Sequence, residues 1–290
     1  MSLDEAYRQL AEACELDLTV GAPGPADGPD WVDGGRLARD PAALRAWLDD
    51  EADRIGAACG KRLPGHVAAS RALHGYLWSV GLLISGPWYL QRRVPRLRPE
   101  DVRLGPGGAL HVVPAPFACL PADPAAGRPE ATVLDGEREL RAELRRAVAD
   151  HVAPLFAALR PHLRRGERAL WGMAGDDLIG GLWDLGAALG DEEHGAALAT
   201  LVLPGPRAPF PGGADFRRLP DGEGLTRTRA GCCLYYVVDP DDICGTCPRR
   251  RAGAAAAPAG QPIGMPGLTS PLPPVTVLSA ATVTGQAAAS

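Results

Sequence analysis

Four cysteines fall within sixteen residues, in the pattern Cys232-Cys233-x10-Cys244-x2-Cys247. Thiols gathered this closely suggest a bound metal ion or iron–sulfur cluster, which would constrain the fold around them. The other three, Cys14, Cys59 and Cys119, are scattered. A secreted disulfide scaffold spreads its cysteines along a short chain, so this concentration points to a bound metal or cluster in a reducing setting. The second half, Cys244-Gly245-Thr246-Cys247-Pro248, suits either cofactor: Gly245 permits a tight turn that aims N–H groups at sulfur, and Pro248 follows the last thiol. The adjacent pair discriminates more. Zinc sites repeat a short knuckle on both sides of the metal, whereas vicinal cysteines diverge and suit a two-iron cluster. Spacing alone leaves a cluster, structural zinc, and redox disulfides or free thiols open.

With 290 residues and 46% hydrophobic content, the chain can bury a substantial core as one large domain or two small ones. A formal charge of −5 gives no electrostatic reason to expect nucleic acid as a partner. The opening Met1-Ser2-Leu3-Asp4-Glu5 is acidic where a secretory leader is basic and then apolar, so a cytoplasmic location is expected. The most apolar stretch, Gly75 to Leu90, is short for a membrane span and contains Gly81, Gly86 and Pro87. It is read as a buried helix, with no membrane span.

Periodicity sketches an α+β, mostly helical fold with small β elements. Ser2 and Glu5 form a capping box for a helix whose face carries Leu3, Tyr7, Leu10 and Cys14. Residues 20–35 read as a long loop. Asp40 caps a helix with Pro41 at its first position and Leu44, Trp47, Leu48 and Ile55 on its apolar face; Cys59, near its end, is read as core. A central helix spans Val67 to Ile84 and is stopped by Pro87. Val102–Leu104 and Ala109–Val113 form a hairpin. A long helix begins near Gly136, with a kink or break at Pro154. Trp171, Leu178, Leu182, Leu185 and Leu189 mark an amphipathic helix, and 192–202 a short one. Residues 204–224 read as loop, and Leu225 to Val238 as strand or hairpin leading into the cysteines. Residues 251–290 are uncharged after Arg251, mostly Ala, Pro, Gly, Ser and Thr, and read as a disordered tail to a domain at 1–250.

Arg229-Ala230-Gly231-Cys232-Cys233-Leu234-Tyr235-Tyr236 together with Cys244-Gly245-Thr246-Cys247-Pro248 resembles the C-terminal signature of FhuF-type ferric siderophore reductases. Ala169-Leu170-Trp171-Gly172 also resembles a segment of that family, which usually continues with Asn where Met173 stands here. The resemblance implies an FhuF-like domain with a C-terminal cluster-binding loop. It implies that Cys232, Cys233, Cys244 and Cys247 hold a 2Fe-2S cluster and pass single electrons to a ferric siderophore, releasing Fe(II). No GxGxxG after a strand, Walker-type loop or GxSxG is present, so electrons are expected from a ferredoxin, a flavodoxin or a reductase rather than directly from a nicotinamide. The alternatives are a zinc-stapled, non-redox binding module and an electron carrier with another acceptor. Siderophore synthetases with an FhuF-like C-terminal region are longer and carry an ATP-binding portion not found here.

Around the motif, Arg227, Arg229, Arg249, Arg250 and Arg251 are read two ways: as cations for the cluster, a siderophore or an acidic donor, or as ordinary surface charge. Tyr235 and Tyr236 point to opposite faces if their segment is extended. His74, in the apolar helix, is read as a satisfied core residue. Glu192, Glu193 and His194 are read as a solvated helix start.

Overall fold

The computed structural model describes residues 2–22, 28, 30–219, 224–240 and 243–249. The protein is a mostly helical α+β fold. Helix α1 (Leu3–Ala13) begins at Ser2, whose hydroxyl accepts from the Glu5 amide, and buries Leu3, Ala6, Tyr7 and Leu10. The expected loop at 20–35 is partly ordered into strand β2 (Val32–Asp33) and the start of helix α2 (Gly34–Arg39), capped by Asp33. Helix α3 (Pro41–Cys59) has the expected cap, with Asp40 accepting from the amides of Ala42 and Ala43, and ends at Gly60 with φ 64°. Glycine adopts this left-handed conformation with no Cβ penalty and so closes the helix at low cost.

Helix α4 (Gly65–Gln91) is buried nearly all round, as its composition requires, but runs past Pro87 instead of stopping. Proline removes one helical hydrogen bond and costs about 3 kcal/mol in a helix interior. Here Gly86 packs against Leu10 and Trp88 is fully buried, and this packing carries the helix on to Gln91. The amides of Arg92 and Arg93 then close onto the carbonyls of Trp88 and Pro87. Pro154 likewise lies inside an unbroken helix α5 (Glu137–Leu159).

Helix α6 (Glu167–Ala188) was expected to be amphipathic; instead Gly172 to Trp183 is buried without interruption, while Leu189 just beyond it is exposed. Glycines explain the difference. Gly81 on α4 faces the Asp177–Leu178 backbone, Gly180 sits beneath Trp78 and Gly181 beneath Leu82. On the other side Gly186 meets Gly195 of helix α7 (Glu192–Val202), so closely that a Cβ on Gly186 would lie 2.6 Å from the Gly195 Cα. Backbones that approach this closely enclose α6 on both flanks.

Small sheets flank the helices. Strands β1 (Leu18–Val20), β4 (Val102–Leu104) and β5 (Leu110–Val112) join β2 in the order β1-β5-β4-β2. The expected hairpin is β4–β5, antiparallel with Val102 opposite Val112, while β1 runs parallel to β5. Strands β3 (Val94–Pro95), β6 (Phe117–Cys119) and β7 (Ala131–Val133) form a second sheet. The expected strand from Leu225 to Val238 is only β9 (Leu225–Thr226), paired with β8 (Arg217–Arg218), and ends in a short helix, α8 (Tyr235–Val238). Residues 251–290 and the proposed boundary before them lie outside the described residues.

Among the described residues no helix is long and apolar enough to cross a membrane.

Candidate metal centre

Two adjacent carboxylates, Asp176 and Asp177, sit in the middle of α6 and are almost wholly buried. A buried carboxylate is tolerated only when paired and hydrogen-bonded, and both are. Asp177 Oδ2 accepts from His74 Nδ1 of α4 (2.9 Å) and Oδ1 from Arg229 Nη2 (2.8 Å). Asp176 accepts from Arg227 and from the backbone amides of Ala230 (3.1 Å) and Gly231 (2.6 Å). Arg227 Nε also donates to the Ala214 carbonyl (3.1 Å).

These contacts lay the segment after β9 across α6. Arg227, Arg229, Gly231 and Cys233 are buried, while Thr228 and Ala230 are exposed and Cys232 is half-exposed. That alternation is the period of an extended chain. No neighbouring strand pairs with it there among the described residues; Asp176 takes the place of a strand partner by accepting two successive amides. The vicinal cysteines therefore diverge, Cys233 inward and Cys232 outward. Of the two readings of Arg227 and Arg229, ordinary surface charge is overturned: both are buried and ion-paired beneath the cysteines. His74 is the satisfied core histidine expected.

At Leu234 the backbone turns left-handed (φ 67°) and enters α8. Tyr235 and Tyr236 thus lie on a helical turn, not on opposite faces of a strand. Arg71 stacks over Tyr235 (5.1 Å) and Arg249 over Tyr236 (4.5 Å). Val238 packs with Ile55, Leu63 and Val67, and Lys61 Nζ donates to the Val237 carbonyl (3.2 Å), which fixes α8 against α3 and α4. The chain then returns through a turn in which the Cys247 amide donates to the Cys244 carbonyl (3.0 Å). The Arg229 amide donates to the Thr246 carbonyl (3.1 Å), joining the two halves of the motif.

Cys233 and Cys244 are hydrogen-bonded through their sulfurs, and Cys247 lies close enough to Cys244 to act on its charge. The hydrogen bond from Cys244 pulls the Cys233 thiol below its ordinary range; burial opposes this, while His74, Arg71 and Arg229 reinforce it. Cys244, sharing that proton, is pushed up by the same hydrogen bond and by burial. Burial works against the charge of Arg229, but Asp177, Asp176, Cys233 and Cys244 hold it firmly protonated.

A fully buried donor of Arg229, Nη1, has no hydrogen-bond partner among the described residues, and its Nε has only the longer 3.8 Å approach to Asp176. An unsatisfied buried donor costs about 1–3 kcal/mol. An anionic group carried on the Cys233 and Cys244 sulfurs would supply the missing acceptor. The donor set thus fits an anionic thiolate-held cluster. Among the described residues no group of three or more His, Cys, Asp and Glu side chains is arranged to hold a metal ion. A two-iron cluster makes a different demand, spreading its thiolates over two metals.

The remaining candidates stay apart from this centre. Cys119 is buried in β6, Cys14 and Cys59 are half-buried beside core clusters, and Glu193 and His194 are exposed at the start of α7. Glu192 accepts from the Trp183 indole (2.8 Å). A cavity of about 670 Å³ opens between α3, α4 and the β4–β5 hairpin, lined among others by Trp31, Trp47, Arg54 and Tyr76. Its α4 wall is Ala72, Gly75, Tyr76 and Ser79, on the same turns whose Arg71 and His74 serve the cysteine segment.

Sequence reasoning missed Asp176 and Asp177. The signal was present, as two acids inside an otherwise apolar run, Trp171 to Leu182.

Residues 229–249 match the family model FhuF 2Fe-2S C-terminal domain, which supports an FhuF-like family assignment. The match begins at the arginine that bonds Asp177. No curated protein matches the chain.

Proposed function

We propose that this chain, matched to the FhuF 2Fe-2S C-terminal domain over residues 229–249, is a ferric siderophore reductase. In this reading Cys232, Cys233, Cys244 and Cys247 hold a 2Fe-2S cluster. The observation that carries it is the agreement between the matched segment and the buried, unfilled donor of Arg229 next to Cys233 and Cys244. When bound, the cluster supplies a one-electron couple whose potential depends on hydrogen bonds, charge and exposure.

The protein's own residues do the rest. Asp176 and Asp177 hold Arg227 and Arg229 beneath the cysteines, and Arg229 offsets the negative charge of the thiolates. Siderophores hold Fe(III) through hard oxygen donors and hold Fe(II) far more weakly, so one electron lets the metal leave, in the cytoplasm. No proton need move in that step, so no general acid or base is assigned. The cavity on the flank of α4 has the size and aromatic lining of a small-molecule site and is the proposed seat of the ferric complex.

The test is a single turnover. Chemically reduced protein is mixed anaerobically with a ferric hydroxamate siderophore and a ferrous chelator. Siderophore-dependent re-oxidation of the cluster, matched by the coloured ferrous complex, is the expected result. A reduced cluster that ignores ferric siderophores but exchanges electrons with a ferredoxin would leave an electron carrier with another acceptor.

A further inference from the structure

The chain carries a net charge of −5, yet the surface beside the cysteine segment is positive. Arg160, Arg164, Arg165 and Arg168 lie in the short connection from α5 into the first turn of α6. Arg160, Arg164 and Arg168 are exposed and Arg165 half-buried. Among the described residues none of them forms an ion pair. The one acid in that stretch, Glu167, is taken by the Trp171 indole (3.3 Å).

This connection is tied to the candidate centre. Arg165 Nη1 donates to Met173 Sδ (3.7 Å). Met173 packs on Gly231, where a Cβ would come within 2.8 Å of it. Arg168 lies one helical turn before Gly172, on the same face, and a Cβ on Gly172 would rest 3.6 Å from Ala230. Gly231 is bonded to Cys232, the half-exposed member of the vicinal pair. Arg165 and Arg168 therefore border the place where the cysteine segment reaches the surface, and Arg160 and Arg164 lie in the same connection.

We propose that this arginine surface docks an acidic one-electron carrier protein, which delivers its electron beside Cys232. The proposal rests on the reductase reading above. The donor is oxidised by one electron and the cysteine-held centre reduced by one; no covalent bond forms or breaks. Screening confines charge effects to about 8 Å at physiological salt, so an acidic partner feels local charge more than the net value. Exposed arginines without ion-pair partners among the described residues attract an acidic carrier to this edge, which biases its orientation as well as its encounter rate. A small anionic chelate would need a concave seat, and none of the four arginines lines the cavity on α4.

The experiment changes Arg160, Arg164 and Arg168 together to Glu. A control changes Arg45, Arg128 and Arg138, exposed on other elements, and shifts net charge equally. Stopped-flow follows bleaching of the oxidised cluster by a reduced, strongly acidic plant-type ferredoxin across ionic strength. The docking variant should lose about tenfold or more in second-order rate at low salt, with a flattened salt dependence, while the control stays within about twofold. Arg164→Gln with Arg168→Gln should give a smaller loss in the same direction. Iron and sulfide content, and reduction by a photoreduced neutral deazaflavin, should not change. A ferredoxin rate that the arginine variants leave untouched overturns the proposal. So does a defect confined to re-oxidation by an anionic ferric tricatecholate, which would make the surface a chelate collector. Fast, arginine-dependent reduction in a protein that leaves every ferric siderophore untouched would sink the reductase reading and leave the docking surface standing.

Discussion

A carboxylate in the middle of a buried helix is costly unless its lone pairs are filled, and Asp176 fills its own with Arg227 and two successive amides. That arrangement gives each cysteine a different environment. Replacing Cys232, Cys233, Cys244 or Cys247 singly by Ser should reduce or abolish cluster content, whereas Ser at Cys14, Cys59 or Cys119 should not. Iron and sulfide analysis of the seven variants decides it, and full content after losing one of the four removes that residue from the site.

His151 supplies a pH prediction. It is buried, its Nδ1–H donates to the Leu97 carbonyl (2.9 Å) and its Nε2 accepts from the Tyr76 hydroxyl (2.7 Å). Burial holds it down to about 4, despite the opposing pull of the Leu97 carbonyl, Asp101 and Glu100. With a folded value below the unfolded ~6.5, the unfolded chain binds the extra proton. Stability from this group is present above that range and is lost as pH falls from about 6.5 toward 4. The loss reaches roughly 3 kcal/mol at most. Relative to a His151→Gln variant, which cannot titrate, the wild type should lose this much between pH 7 and pH 4 in urea unfolding. Parallel pH profiles for the two proteins would rule out the buried neutral imidazole.

At the scale of elements, the site depends on how closely α4 and α6 cross. His74 reaches Asp177 because Gly81 leaves no side chain between the helices; a Cβ there would lie 3.6 Å from the Asp177 carbonyl oxygen, ordinary contact. Gly81→Ala should therefore be tolerated, with up to about 1 kcal/mol of helix propensity in its favour. Gly81→Leu should overpack the crossing, cost about 1–3 kcal/mol, and lower cluster content by moving Asp177 and Arg229. Denaturant midpoints and iron content read together check both halves. If Leu destabilises the fold without touching cluster content, the crossing supports the core but not the centre.

For the whole molecule, the core runs continuously from α1 through α4, α5 and α6 to Cys233. The candidate centre is thus an edge of the main core, not an appended module. Cutting the chain after Arg251 should leave melting temperature and cluster content unchanged, because an uncharged Ala/Pro/Gly segment has little to pack with. A large fall in either quantity would mean that residues beyond Arg251 belong to the domain.

Local chemistry alone determined much of this protein. Ser2 and Asp40 caps, the all-round apolarity of α4, the β4–β5 hairpin and the 192–202 helix are each written in a few adjacent residues, and so is the thiol spacing at 232–247. The tertiary structure decided what depends on partners distant along the chain. Pro87 sits inside a helix because Leu10 and the burial of Trp88 stabilise the turns around it. The segment before Cys232 is extended without being a strand because Asp176, more than fifty residues earlier, accepts its amides. Arg227 and Arg229 are buried because α6 places two carboxylates beneath them. A charge is buried only where its counter-charge already waits, and that depends on which helices cross.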